Sequence, residues 1–120
     1  MTWPLLAFID RLLSLEANWD SYGALPVKRS AARRAFLFLV QAAEHDFIQP
    51  AIVPTNRGGL QFEWHFPDYD FEVRVSPDGS AIEFFEETSA DTLEGRLEDD
   101  PGMFEAALTR LLERQRMLAG

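Results

Sequence analysis

The chain has 120 residues, of which 47% are hydrophobic, so it has the size and apolar content of one globular domain with a substantial core. Its 20 acidic residues outnumber its 11 basic ones, and it contains no cysteine, which excludes disulfide bonds and thiolate metal sites. No apolar run reaches the roughly 18 residues that a membrane-spanning helix needs. We therefore predict a single cytoplasmic domain, residues 1–120, without a membrane partner.

The excess negative charge lies in the second half of the chain. Residues 1–50 contain five acids and five bases, whereas residues 51–120 contain fifteen acids and six arginines. Because the second half would repel phosphate groups, we expect no direct binding to nucleic acid. It would attract a protein with a basic surface, and this is the partner that we predict.

Two helices are predicted in the first 45 residues. Thr2 is a suitable N-cap, and Pro4 fits the first turn of a helix over residues 3–17. The apolar side chains of this helix recur at helical spacing, and they are Leu5, Phe8, Ile9, Leu12 and Leu13. A second helix begins after Pro26 and continues to about His45, with a broad apolar surface.

The loop between these helices, residues 18–26, is rich in turn-forming residues. Three of its side chains, Trp19, Asp20 and Tyr22, have two interpretations. They anchor a partner protein, since tryptophan and tyrosine are enriched among the residues that dominate interfaces, or they fasten the loop to the domain. We include all three in the predicted binding site.

The best-defined strand lies within residues 58–66. Apolar side chains alternate along it with polar ones, which predicts one buried and one solvated face. The apolar side chains are Leu60, Phe62, Trp64 and Phe66. A short edge strand, residues 51–53 between Pro50 and Pro54, is predicted before it.

The alternation continues into a predicted antiparallel meander. Phe66 is expected opposite Phe71, around a loop of four residues. A turn over residues 76–79 then leads to a strand over residues 80–85, which places Phe84 opposite Phe71 as well.

This register brings His65, Glu72 and Glu83 side by side on the solvated face. A histidine between carboxylates is able to bind a divalent metal or to act as a general base, which would make the protein a metal-binding or hydrolytic enzyme. The alternative is a solvated row of side chains whose charge Arg74 neutralises, because a lone histidine lacks the further ligands of a tight zinc site. We predict no catalytic residue, no metal and no cofactor.

Residues 86–100 carry seven acids and one arginine, and they are predicted to form a surface segment with at most a short helical turn. These acids complete the predicted binding site, and they are Glu86, Glu87, Asp91, Glu94, Glu98, Asp99 and Asp100. A third helix begins at Asp100 and Pro101 and ends near Leu118. The predicted fold is α+β in two layers, with three helices on one face of a four-stranded, mainly antiparallel sheet in the order ααββββα.

Several motifs together resemble a group of small bacterial proteins. They are Asn18-Trp19-Asp20 followed by Gly23-Ala24 and Pro26, then Pro54-Thr55, Gly58-Gly59-Leu60-Gln61-Phe62-Glu63-Trp64 and Pro77-Asp78-Gly79. In that group an NWD-x-x-G-A loop accompanies a GG-(I/L)-Q-(L/F)-E-W strand, and the resemblance covers residues 10–85. Its members are similar to proteins of mobile elements and toxin-antitoxin-like loci, which implies a partner-binding role and supplies no catalytic residues.

The predicted function is that of a non-catalytic, acidic protein-interaction module. It would be antitoxin-like or immunity-like, or a small phage-type inhibitor, and it would bind a basic protein surface, with homodimer formation as a further option. Two alternatives stay open. One is the enzyme that uses His65, Glu72 and Glu83, and the other is a structural subunit of a larger assembly.

Overall fold

The structure is a computed structural model that describes residues 23–119 and, before them, residues 7, 11, 14, 16 and 19. Most of the first predicted helix, residues 3–17, lies outside the described residues. In chain order, the elements of the described part are α1 Arg29–Glu44, β1 Ala51–Pro54, β2 Leu60–Phe66, β3 Tyr69–Val75, β4 Ile82–Thr88, β5 Thr92–Arg96 and α2 Pro101–Ala119. Neither of these two helices combines the length and the apolar character that crossing a bilayer requires.

The strands form one antiparallel sheet in which each strand pairs with the next one along the chain. Side chains of both described helices share a core with one face of this sheet, so the domain has two layers and belongs to the α+β class. The prediction of three helices on a four-stranded sheet is wrong, because the described residues form two helices and five strands.

The strand that the sequence analysis misses, β5, lies inside the acidic segment. Leu93 packs against the core, while Glu94 and Arg96 are exposed. Gly95 takes an inward position, where a Cβ atom would lie 2.9 Å from the Phe84 ring. The alternation of apolar and polar side chains in this strand is therefore hidden in the sequence, since one of its two inward positions, Gly95, carries no side chain.

The predicted register between β2 and β3 is wrong by two residues. Phe66 pairs with Tyr69 instead of Phe71. The connection contains only Pro67 and Asp68, and Asp68 has a φ of 60°. Proline fixes φ near about −65°, and a positive φ at the next residue completes the φ pattern of a type II turn. Because side chains alternate with a period of two, the buried and solvated faces stay as predicted.

The same shift of two residues applies between β3 and β4. Phe84 pairs with Val73, and Phe71 pairs with Glu86. The prediction of Phe84 opposite Phe71 is therefore wrong, and Glu86 takes a position on the inner face of the sheet, toward the helices.

The core is built from large side chains of the sheet and from both small and large side chains of α1. Ala31 and Ala35 are fully buried, so α1 lies close to the strands. Phe38 of α1 stacks on Phe62 with ring centroids 5.5 Å apart, and Phe104 of α2 lies 5.3 Å from Phe84. All of this packing uses the inner face, and neither of the two described helices packs on the opposite face.

The turn between β3 and β4 fixes the start of α1. Ser30 Oγ donates a hydrogen bond to the carbonyl oxygen of Pro77 at 2.7 Å, and Arg34 Nη1 donates to that of Gly79 at 3.1 Å. Gly79 has a φ of 74°, and a Cβ atom there would meet the Ser30 carbonyl oxygen at 2.6 Å. Glycine is therefore required for this close approach of turn and helix.

Candidate interaction surface

The face of the sheet that turns away from the helices carries most of the charge of the strands. We call the outward side chains of β2 to β5 the outer face, and they are Gln61, Glu63, His65, Asp70, Glu72, Arg74, Glu83, Phe85, Glu87, Thr92, Glu94 and Arg96. Six of them are acids and two are arginines. This arrangement follows from the period of two along each strand, which sends every second side chain to the same side.

At one end of the outer face, Arg74 is held by several neighbours. Its Nη2 lies 3.1 Å from Glu72 Oε2, and its Nε donates to Gln61 Oε1 at 3.2 Å. The guanidinium carbon lies 5.1 Å from the ring centroid of Phe85, a cation–π distance. Of these three neighbours Glu72 is the acid, so Arg74 neutralises a carboxylate of its own chain.

His65 lies between two carboxylates in the next part of the face. Its Nδ1 is 2.7 Å from Asp70 Oδ1, and its Nε2 is 2.8 Å from Glu63 Oε1. The hydrogen bonds with Asp70 and then Glu63 raise the pKa of His65, and the bonds with His65 and Gln61 lower the pKa of Glu63. The side chain of His65 is 60% exposed, so these interactions are screened by water.

The predicted constellation of His65, Glu72 and Glu83 is not assembled. His65 is bound to Glu63 and Asp70, whereas Glu72 is bound to Gln61 and Arg74. The cause is the shift of two residues in the register, which places Asp70 rather than Glu72 opposite His65. The part of the chain that the structure describes contains no group of three or more His, Asp or Glu side chains suited to a metal ion.

Like charges face each other directly across the strands. Asp70 of β3 is paired with Glu87 of β4, and Glu63 of β2 is paired with Glu72 of β3. The second pair is bridged by Gln61, whose Nε2 donates to both carboxylates, at 2.6 and 2.9 Å. Opposed like charges destabilise a sheet by about 0.2–1 kcal/mol per pair, so a cationic partner would relieve a cost at Asp70 and Glu87.

The acidic segment that the sequence analysis selected divides between structural and exposed acids. Glu86 is only 8% exposed, so it is not available to a partner. Glu98 Oε1 accepts a hydrogen bond from Ile82 N at 2.8 Å, and Asp100 Oδ1 accepts one from Met103 N at 3.0 Å, as an N-cap of α2 does. The remaining acids are exposed, and they are Glu87, Asp91, Glu94 and Asp99.

Glu86 is the centre of a buried polar cluster that attaches α2 to the sheet. The Tyr69 hydroxyl donates to Glu86 Oε2 at 2.5 Å, and Arg110 Nη2 lies 2.8 Å from Glu86 Oε1. Burial, together with the bond to Glu86, raises the pKa of Tyr69. The guanidinium of Arg114 lies 5.0 Å from the centre of the Tyr69 ring. Every buried polar side-chain atom among the described residues has a hydrogen-bond partner, so this cluster stabilises the fold.

The loop of residues 18–26 is described only in part. Trp19 Nε1 donates to the carbonyl oxygen of Leu25 at 2.8 Å, and Leu25 N donates to that of Asn56 at 2.7 Å. The indole N–H of Trp19 therefore closes its own loop against the turn after β1. Asp20 and Tyr22 lie outside the described residues.

A groove of about 730 Å³ runs between α1 and α2. Phe38, Trp64 and Phe104 line it, and Leu37 of α1 beside it is 57% exposed. The groove was not predicted, because the residues that line it come from elements far apart in the chain, such as Phe38 of α1, Trp64 of β2 and Phe104 of α2. The acids of β2, β3 and the start of β4 were not included in the predicted binding site, although the alternation along those strands places them on one face.

Comparison of the chain with protein-family models, with curated proteins and with solved structures finds no match. The resemblance to the small bacterial proteins with the NWD-x-x-G-A loop stays a prediction.

Proposed function

We propose that this protein is a non-catalytic interaction module whose outer face binds a basic surface of another protein. The observation that carries the proposal is the direct opposition of Asp70 and Glu87 on neighbouring strands. A lysine or arginine of a partner placed between them would interact with both carboxylates. Binding would thus reduce a repulsion that, in the free protein, the bond between Asp70 and His65 offsets in part.

The distribution of basic residues supports the same proposal. Arg74 is held by Glu72 and Gln61, and Arg96 lies opposite Glu83 in the register of β4 and β5. The acids farthest from these two arginines, Asp70 and Glu87, lie near the hairpin ends of the strands. A basic partner would be attracted to these carboxylates, and complementary charge raises the rate of association.

The finer part of the proposal concerns the class of partner. The resemblance to proteins of mobile elements and toxin-antitoxin-like loci favours an antitoxin-like, immunity-like or inhibitor role. A flat acidic face is complementary to a protein surface that itself binds nucleic acid, because both present negative charge to it.

The test compares two variants with equal loss of charge. The outer-face variant carries Asp70→Asn and Glu87→Gln, and the matched control carries Glu105→Gln and Glu113→Gln on exposed positions of α2. Each protein is immobilised and used to capture proteins from a lysate of its native host, with mass spectrometry of what is retained. We expect basic proteins on the wild type and on the control, weakened by salt, and their loss from the outer-face variant.

A partner that both variants retain equally, or that only the α2 variant loses, would contradict the proposal. A thermal melt of each variant shows whether the fold is kept. Because all four positions are exposed or at the protein surface, we expect the melting temperatures to stay close to that of the wild type.

A further inference from the structure

The outermost strands of the described sheet, β1 and β5, differ in how many backbone hydrogen-bonding groups their outer edges present. Thr55 N donates to the carbonyl oxygen of Gly59, and bonds between antiparallel strands alternate along the chain. Ile52 and Pro54 of β1 therefore direct their backbone groups away from β2. Since Pro54 has no N–H, this edge has little capacity to bind another strand.

The edge of β5 has more backbone groups that are able to bind another strand. Thr88 N donates to the carbonyl oxygen of Asp91, and Leu97 N donates to that of Ile82, at 2.9 and 2.8 Å. By the same alternation Glu94 and Arg96 direct their N–H and C=O groups away from β4. Both residues are exposed, neither is a proline, and no described strand pairs with this edge.

We propose that β5 pairs with β5 of a second copy of this chain, antiparallel and centred on Gly95. Glu94 of each copy then lies opposite Arg96 of the other, on the outer face. At both of these positions the two residues exchange backbone hydrogen bonds. The two sheets become one continuous sheet, which goes beyond the partner binding proposed above.

The charges select this register among those that the backbone allows. Residues that face the open edge must pair with each other, so the nearest alternatives are dimers centred on Glu94 or on Arg96. These alternatives set two glutamates or two arginines directly opposite each other, which is destabilising, whereas the register centred on Gly95 forms two Glu94–Arg96 ion pairs.

The inner face supports the same register. With Gly95 at the centre, Leu93 of each copy lies opposite Leu97 of the other. Both leucines are half-buried in the single chain and pack at the margin of its core. Pairing would bury the rest of these side chains and join the two cores across the new strand pair.

The experiment uses the full chain and charge reversal at β5. Sedimentation equilibrium across a concentration series should give twice the chain mass of 13.7 kDa for the wild type. Glu94→Arg sets like charges opposite each other at both positions and should raise the dimer dissociation constant by about tenfold or more. Arg96→Glu should do the same.

The decisive step combines the two charge reversals. A mixture of the Glu94→Arg and Arg96→Glu chains restores opposite charges at both positions, so we expect the two chains to form a heterodimer more tightly than either chain associates with itself. The double variant, with both substitutions in one chain, should again form a homodimer. The control is Glu113→Arg, which makes the same change of charge at an exposed position of α2 and should stay dimeric.

Three results would overturn the proposal: a wild type that is monomeric at every concentration, an undisturbed dimer of Glu94→Arg, or a mixture that does not associate. Circular dichroism of each variant establishes that it is folded. Rescue by mixing cannot arise from a folding defect, because each chain keeps its own substitution.

Discussion

The two faces of the sheet are built from alternate residues of the same strands, yet they serve different purposes. Toward the helices the strands present fully buried aromatic side chains such as Phe62, Phe71 and Phe84. Toward solvent the neighbouring positions present carboxylates. Neighbours in sequence thus contribute separately to stability and to surface charge, and substitutions one residue apart are expected to have very different effects.

The largest effect is expected at Trp64 on the inner face. Its side chain is 2% exposed, its Nε1 donates to the carbonyl oxygen of Ile48 at 2.8 Å, and its ring meets Phe71 edge-on. Trp64→Ala should lower the free energy of unfolding by about 3–5 kcal/mol, measured by urea denaturation. The next residue is the control: His65→Ala should change it by less than about 0.5 kcal/mol. Similar losses at both positions would contradict the separation of the two faces.

A smaller loss of stability is expected at Glu86, and the adjacent Glu87 is its control. Glu86→Ala leaves the buried Tyr69 hydroxyl and the Arg110 guanidinium without their acceptor. The loss should be about 1–3 kcal/mol, reduced toward the lower value because Arg110 is 44% exposed and gains water. Glu87→Ala on the outer face should leave the unfolding free energy within about 0.5 kcal/mol of the wild type.

A double-mutant cycle sharpens this comparison. In a Tyr69→Phe background the Glu86→Ala substitution should cost less than in the wild type, because the hydroxyl that it would orphan is already gone. Strict additivity of the two losses would show that the hydrogen bond contributes nothing to stability.

The smallest effect is a pH dependence on the outer face. Asp70 and Glu63 raise the pKa of His65, so its stabilising contribution is complete below the ordinary value of 6.5 and is lost as the pH rises through the folded-state pKa. His65→Gln should remove this decline of the unfolding free energy while keeping His45. An NMR titration of the His65 ring should give a midpoint above 6.5. A midpoint below that value would contradict the contacts with Asp70 and Glu63.

Much of the sheet could be predicted from the sequence, because the period of two along β2 fixes which side chains are buried. The register could not be predicted, since a shift of two residues preserves both faces and only the turn decides it. That turn depends on Asp68 adopting a positive φ, and its carboxylate accepts hydrogen bonds from the N–H and the hydroxyl of Ser89 on the next hairpin. Such a contact is distant in sequence and is invisible to local patterns.

The role of individual acids was even harder to predict. Glu86 and Glu87 are the same residue type, side by side, and the acidic composition of the segment treats them alike. Glu86 is distinguished by Tyr69 and Arg110, which lie 17 and 24 residues away in the chain. β5 was missed for a related reason, because Gly95 is selected by the Phe84 ring beneath it and leaves no apolar signal.

The prolines at the β1 edge have a consequence for how large an assembly can become. An exposed strand edge is a template onto which further chains can add, and repeated addition produces a fibre. Pro50 precedes β1 and Pro54 is its last residue, so that edge is a poor template for another strand. If two copies join through β5, the joined sheet ends in a proline-containing strand on both sides. Growth then stops at a closed pair, and the protein keeps an extended acidic surface without the risk of open-ended polymerisation.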